Sequence, residues 1–327
     1  MDRWKCFIDW CQRPSMIKTR TFNPKNITVV AFSIILISLV TLGTWRYQVT
    51  NVPKITFITP EDIETLTITT DTTLTEDHFG NIVIDADNVT LDGNGYMIIG
   101  PGSDTWICDP NTGHFSLSTG ILLEGRTGVT VKNCHVIGFQ DGFFLYDSDG
   151  NTLKGNTAKD NAFIGFILSS SSNNTLLNNT ANHNGDPDGT GFALEMSFGN
   201  TLTGNTAKDN FQGFTLEETS GNIFEANTAK DNSHSGFTVG FSSNNTFFHN
   251  NLINNTIQAT GTPEYANTWD DGYPSGGNYW SDYKGADTNG DGIGDTPYVI
   301  DENNMDRFPR MAPISVFDAG TKGGEKN

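Results

Sequence analysis

The sequence predicts an all-β chain wound into a single-stranded parallel β-helix of about 22–26 residues per rung, preceded by a transmembrane helix. Three observations point there: a recurring block, columns of one residue type in step with it, and a charge-free stretch near the N-terminus. The block Asn156-Thr157-Ala158-Lys159-Asp160-Asn161 returns almost verbatim at 205–210 and 227–232, with a degenerate copy at 179–184 and an opening fragment at Asn133-Cys134-His135. Counted from Asn133, the intervals are 23, 23, 26 and 22 residues, and a Gly-Phe pair keeps step at Gly142, Gly165, Gly191, Gly213 and Gly236. Self-similarity at a fixed period marks a stacked-repeat architecture before any local propensity is consulted.

A period this short decides between helix and strand. Helical repeats need about 33 to 47 residues. Within a unit the apolar residues alternate, as in Gly213-Phe214-Thr215-Leu216-Glu217 and Gly165-Phe166-Ile167-Leu168, so Phe and Leu face one side. Equivalent strands stacked at roughly 4.8 Å form a parallel sheet coiled into a solenoid, each backbone amide pairing with the rung above or below.

The Asn residues fall in three columns: Asn151, Asn174, Asn200, Asn222, Asn245; Asn156, Asn179, Asn205, Asn227; and Asn161, Asn184, Asn210, Asn232. A side-chain amide repeated at one rung position donates to the next copy and accepts from the previous one, which satisfies a buried polar group along the axis. Asn also tolerates the left-handed backbone that a corner requires. The column Phe143, Phe166, Phe192, Phe214, Phe237 reads as a core stack.

These rungs, the Leu91-Asp92-Gly93-Asn94-Gly95 turn, and the tail from Trp269 through Gly276-Gly277-Asn278-Tyr279-Trp280-Ser281-Asp282-Tyr283 to Pro309 resemble the NosD-like parallel β-helix repeat proteins over about residues 55–313. The resemblance implies a right-handed β-helix exported from the cell. Relatives of that fold include sugar-binding and polysaccharide-cleaving enzymes, and the founding type is linked to copper-site maturation of a periplasmic reductase. Likeness of fold transfers none of these activities by itself.

The chain has 327 residues and a formal charge of -19, unevenly placed: residues 1–26 carry a net +4, which leaves -23 for the remainder. An acidic body disfavours nucleic acid and anionic lipid, and suits metal cations or a solvated surface. Residues 27–45 carry no charge and are long enough to cross a hydrocarbon core. The basic flank places the N-terminus in the cytoplasm and everything after Arg46 outside. The long N-region and the lack of a small-x-small closing site favour an uncleaved signal anchor over a cleaved signal peptide. The expected order is a basic cytoplasmic segment (1–26), the anchor (27–45), a stalk (46–54), the β-helix (55–262), a C-terminal aromatic and calcium-loop cap (263–313) and a disordered tail (314–327).

Four cysteines do not make a disulfide scaffold at this length. Cys6 and Cys11 fall on the cytoplasmic side, Cys134 is a small core residue beside the Asn column, and Cys108 lies in a segment where the rung pattern breaks. A Cys108–Cys134 bridge is open to a chain outside the cell. Sequons at Asn88, Asn173, Asn178, Asn244 and Asn254 permit glycosylation.

Two motifs carry chemistry. In Asp287-Thr288-Asn289-Gly290-Asp291-Gly292-Ile293-Gly294-Asp295, oxygen side chains at alternate positions, with Gly at the sharp turn, match the first part of a calcium loop. Asp287, Asn289, Asp291 and Asp295 are the expected side-chain ligands, with the Ile293 carbonyl and a neighbouring carboxylate such as Asp301 completing the shell. Tyr298 stands where an EF-hand has its bidentate Glu, so the calcium would order the segment without forming an EF-hand. The aromatic residues Trp269, Tyr273, Tyr279, Trp280 and Tyr283 around the loop read as a cap over the last rung, with sugar stacking as the other reading.

The second motif is a carboxylate pair. In the register of the Gly-Phe column, Glu195 and Glu217 occupy the same position in successive rungs, with Glu218 beside them and Asp186 and Asp188 in a loop just ahead. Outward carboxylates at that spacing resemble a retaining glycosidase pair. Against that reading, the chain lacks Gly-His-Gly, Arg-x-Lys and Arg-x-Pro-x-x-Arg motifs. A copper reading has less to stand on: the six histidines form no column, and Cys108, His114 and Met97 supply one residue of each kind. The expectation is therefore a membrane-anchored extracytoplasmic module binding glycans or neighbouring surface proteins, with polysaccharide cleavage and copper-site maturation as alternatives.

Overall fold

A computed structural model of the chain describes residues 56–58, 63–102, 105–108, 115–116, 118–185 and 188–314. The expected anchor, stalk and most of the tail, with Cys6, Cys11, His114 and Asp186, lie outside the described residues. Among the described residues no helix is long and apolar enough to cross a membrane. Two units are distinguished. The smaller contains a three-stranded sheet in which Thr56–Ile58 runs parallel to Thr105–Cys108, itself antiparallel to Phe115–Ser116.

The larger unit is a parallel solenoid. Each turn contributes one strand to each of three sheets, and eight complete turns are stacked, as in Asp141–Tyr146, Thr152–Lys154 and Thr157–Lys159. Sheet one has nine strands, from Thr65–Ile68 to Ile257–Gly261; sheet two has eight, from Thr72–Thr73 to Thr246–Phe248; sheet three has nine, from His78–Phe79 to Tyr279–Trp280. Short strands are enough because every pairing is repeated by the turn above and the turn below.

The interior is complementary by volume. Phe143, Phe166, Phe192 and Phe214 enter from sheet one, while Ala158, Ala181, Ala207 and Ala229 enter from sheet three, and all are fully buried. The five rings of the Phe column stack with centroids 4.4, 4.8, 4.9 and 4.8 Å apart, as their spacing in sequence predicts. Glycine precedes each Phe because a Cβ at Gly142 would meet the Gly165 carbonyl oxygen at 2.5 Å and Ala158 Cβ at 2.9 Å.

The Asn columns are hydrogen-bonded ladders. Asn205 Oδ1 accepts from the Asn179 backbone N–H at 2.9 Å and its Nδ2 at 3.0 Å, while Asn205 Nδ2 donates to the Leu176 carbonyl at 2.8 Å and to Asn227 Oδ1 at 3.0 Å. A parallel file of Ser148, Ser171 and Ser197 hydroxyls accepts backbone N–H groups in the same way.

One interval from the sequence needs correction. His135 lies opposite Thr157, and the Cys134 N–H donates to Asn156 Oδ1 across 22 residues, so Cys134 rather than Asn133 stands at the ladder position. Asn133 instead turns the corner at φ 52°. Corner and ladder are adjacent positions that both favour Asn, which is why counting Asn residues slips by one. Cys134 is a free, fully buried thiol, and burial pushes its pKa up to about 12.

Beyond the last full turn the ladders end on new residues. The first reaches Asn304, whose Oδ1 accepts from the Asn267 N–H at 3.0 Å; the second reaches Asp306, whose carboxylate accepts from the Asn278 N–H at 2.7 Å and Trp280 Nε1 at 2.8 Å. Trp269 stacks on Phe247 at 4.2 Å, and Trp280 stacks on Tyr298 at 4.0 Å. Two of the five expected cap aromatics, Trp269 and Trp280, thus complete the core, whereas Tyr273 is 62 % exposed.

Candidate functional site

The outer face of sheet one and the corner that follows it form the most distinctive surface. Tyr146, Ser169, Glu195, Glu217 and Gly240 end successive strands in one register column. Glu195 and Glu217 are therefore neighbours at roughly the 4.8 Å strand spacing. Burial raises the Glu195 pKa, and the charge of Glu217 raises it further. A side chain at Gly240 would collide with the Glu217 carboxylate, so this glycine leaves the space into which Glu217 lies.

Glu218 does not join the pair's column. It turns the corner with φ 53° and is exposed. Asp188 is exposed, in a loop only partly described. Asp141, which the sequence reading passed over, begins a strand two turns before Glu195, and its Oδ1 accepts from the Ile164 N–H at 3.2 Å. Burial, and then the Glu195 charge, push its carboxyl up to about 6. Asp141 and Glu195 are thus electrostatically linked on one face.

The corner beside this column differs from the other two. A corner needs a left-handed residue, and the chain mostly uses Asn, Asp or Gly, as at Asn178, Asp209 and Gly204. At the first corner it uses Met196 at φ 46° and Phe241 at φ 45°. Both side chains face solvent, 49 % and 55 % exposed, as do Phe198 at 46 % and Tyr146 at 45 %. Bulky residues in this conformation carry a backbone cost of about 1 kcal/mol that Asn or Gly would largely avoid. Four exposed apolar side chains therefore line one edge of the coil beside two carboxylates. The sequence signal was available in principle: Met and Phe stand where neighbouring turns have Asp, Ser or Glu.

At the calcium-like loop, the Asp287 carboxylate accepts from the N–H groups of Gly290, Asp291 and Gly292 at 2.7, 3.2 and 2.8 Å. Asp295 Oδ2 accepts from Thr288 Oγ1 at 2.8 Å and closes the loop, while Ile293 is buried. Asp301 accepts from Asn304 Nδ2 at 2.8 Å and so supports the end of a ladder. Tyr298 donates to Asp282 at 3.2 Å. Among the described residues, no three His, Cys, Asp or Glu side chains stand where they could hold a metal ion.

The thioether, thiol and imidazole groups that copper favours are scattered. Met97 and His135 lie opposite each other on sheet three, but one thioether and one imidazole fall short of a copper site. The side chain of Cys108 lies outside the described residues. His78 Nε2 and His249 Nε2 are 3.1 and 2.9 Å from the backbone carbonyls of Asn81 and Ser275. The described residues do not fit a copper centre. A cleft of about 260 Å³ at the third corner is lined by His183, Asp209, Phe211 and Asp231, with Asp209 paired to Lys208 at 3.0 Å.

No curated protein matches the chain. Among solved structures it is similar to the periplasmic alginate epimerase AlgG, at 15 % identity over 57 % of this chain and 64 % of that one, with a TM-score of 0.35. It is also similar to an alginate lyase from Paenibacillus sp. str. FPU-7, at 13 % identity over 66 % and 97 % of the two chains, with a TM-score of 0.38. The catalytic domain of a GH87 alpha-1,3-glucanase gives 21 % identity over 72 % and 44 %, with a TM-score of 0.33. The chain spans less than two thirds of the length of the epimerase and of the glucanase. The family model described as periplasmic copper-binding protein (NosD) matches residues 80–285, more than half of the chain, and with its repeated turns and parallel solenoid the chain belongs to the NosD family.

Proposed function

We propose that this protein is an extracytoplasmic β-helix module that binds glycans along the first corner of its coil. The observation that carries this reading is the pair Met196 and Phe241, exposed apolar side chains held in a costly left-handed backbone, in line with exposed Tyr146 and Phe198. Apolar and aromatic side chains give sugar rings a flat surface, and adjacent carboxylates accept hydroxyl hydrogen bonds. Residues 27–45 serve as the membrane anchor in this reading, on the strength of their charge-free length and basic flank.

Calcium belongs to the same proposal as an ordering ion for the cap. Its donors would be the side chains of Asp287, Asn289, Asp291 and Asp295 and the Ile293 carbonyl, an all-oxygen set of the kind calcium takes. The supporting features are the alternation of those oxygens and the glycines Gly290 and Gly292 at φ 74° and 84°.

A second reading, cleavage of a polysaccharide by Glu195 and Glu217, draws support from their adjacency on paired strands, with the Glu195 pKa raised by burial and then by the Glu217 charge, the direction a general acid needs. One experiment addresses both. The full-length chain is incubated with a panel of polysaccharides, with calcium or with chelator, and scored for retention and for new reducing or unsaturated ends. Retention without product is expected, with loss on chelation if the cap supports the site. Product that disappears in Glu195→Gln or Glu217→Gln would replace binding by catalysis, and absence of retention across the panel would end the glycan reading.

A further inference from the structure

Charge is sorted around the axis of the solenoid. All five lysines between residues 119 and 262 lie on the outer faces of sheets two and three: Lys132 and Lys154 on one, Lys159, Lys208 and Lys230 on the other. None of the nine strands of sheet one carries a lysine or an arginine. That sheet carries Glu124, Asp141, Glu195 and Glu217 instead. The first corner adds Asp147, Asp149 and Glu218, and its one cation, Arg126, lies 3.3 Å from Asp85.

Like charges directly opposite each other on paired strands destabilise a sheet. Glu195 and Glu217 are so placed, and among the described residues neither forms an ion pair. Lysines nearby neutralise the acidic corner residues of sheet three, as Lys208 does Asp209 at 3.0 Å and Lys230 does Asp231 at 3.8 Å. On sheet one that device is missing. A uronate or sulfated polymer approaching this strip meets net repulsion, added to a chain charge of -19.

Resting on the glycan reading above, we infer that the strip takes a polysaccharide bearing free amino groups, with ammonium groups beside Glu195 and Glu217 and sugar rings against Tyr146, Met196 and Phe241. The complementarity has two independent parts. The apolar edge supplies ring contact for any sugar, and the cation-free acidic column selects the charge of its substituent. Gly240 contributes by leaving the Glu217 carboxylate lying along the column. A cation seated there relieves the Glu217 repulsion that adds to burial in raising the Glu195 pKa.

The test uses the full-length chain, in calcium so that the cap is ordered and again in chelator so that metals do not bridge, with glucosamine oligosaccharides, the same oligosaccharides N-acetylated, and a polyuronate of similar length. Binding to the free-amine chain at least 10-fold tighter than to its acetylated form, weakened about 10-fold by Glu217→Gln and by Tyr146→Ala but unchanged by Glu225→Gln on sheet two, supports the inference. Equal binding of the amine and acetyl forms, or preference for the polyuronate, overturns it and leaves the glycan reading standing. An equal loss in Glu225→Gln overturns it too, because attraction to the whole acidic chain would then explain the data. Failure to retain any of the three ligands, in calcium as in chelator, overturns the inference, and the glycan reading is then decided by the wider polysaccharide panel.

Discussion

The inside and the outside of this coil obey different rules. Inside, the same residue returns at the same position turn after turn: Asn156, Asn179, Asn205 and Asn227 in one file, and Phe143, Phe166, Phe192, Phe214 and Phe237 in another. Outside, one register column reads Glu124, Tyr146, Ser169, Glu195, Glu217 and Gly240. Uniformity marks what every turn needs to stack, and variation marks what a particular turn does. The contrast yields an ordered set of expectations for substitution.

The largest effect is expected inside. Asn205→Leu keeps the volume but removes four hydrogen bonds and leaves the buried Asn179 N–H without its acceptor, at a cost of more than about 4 kcal/mol. The same change at Asn179 or Asn227 should cost a similar amount in denaturant unfolding. Unequal costs would break the claim that interior positions are interchangeable. Next, Phe192→Ala opens a void between Phe166 and Phe214, with a loss of about 3–4 kcal/mol.

A smaller effect comes from two buried carboxyls. Burial pushes Asp306 up to about 6, since desolvation outweighs the bonds from Trp280, Asn278 and Phe308, and Asp141 is likewise pushed up to about 6. An unfolded Asp has a pKa near 3.9, so the folded chain binds more protons between about pH 4 and 6. The stability from these groups is complete below about pH 4 and is lost as pH rises through about 6. Thermal unfolding should therefore shift upward when the pH falls from 7 to 4.5, by on the order of 2 kcal/mol per carboxyl. Asp141→Asn should flatten that slope. An opposing trend is confined to lower pH, where Asp92 and Asp270 are protonated. Burial alone would raise Asp270, but bonds from Arg307 hold it below its ordinary value. Hydrogen bonds from Asn133 and Asn94 hold Asp92 down.

The smallest effect has the opposite sign. Met196→Asn places a residue suited to φ 46° at the first corner and should stabilise the fold by about 0.5–1 kcal/mol while weakening glycan retention. Stabilisation with full retention would make the exposed Met an accident of the surface. Loss of both stability and retention would mean that it packs.

The interior was legible from the sequence because its rule is repetition. The Gly-Phe step and the three Asn columns follow from residues that recur every 22–26 positions. The outer site was harder to read. Glu195 and Glu217 could be aligned from the Gly-Phe column, but Met196 and Phe241 look like core residues until the corner register is known. Asp141 sits just before a Gly-Phe pair, where the strand's alternation breaks, so its side was ambiguous. Asp306 lies in the tail and joins its ladder across 28 residues with no repeated motif to announce it.

The 26-residue turn bears on how such a chain can change length. The extra residues fall between Asn184 and Thr190, yet Asn184 still donates to Asn210 Oδ1 at 2.9 Å and Thr190 still donates to the Phe163 carbonyl at 2.9 Å. Inherited insertions at that corner are thus invisible to the ladders. A whole turn, copied or deleted between equivalent Asn residues, restores every bond it interrupts. The gene can be edited in two units, the loop and the complete turn, and each alters what the surface displays without asking the interior for a new solution.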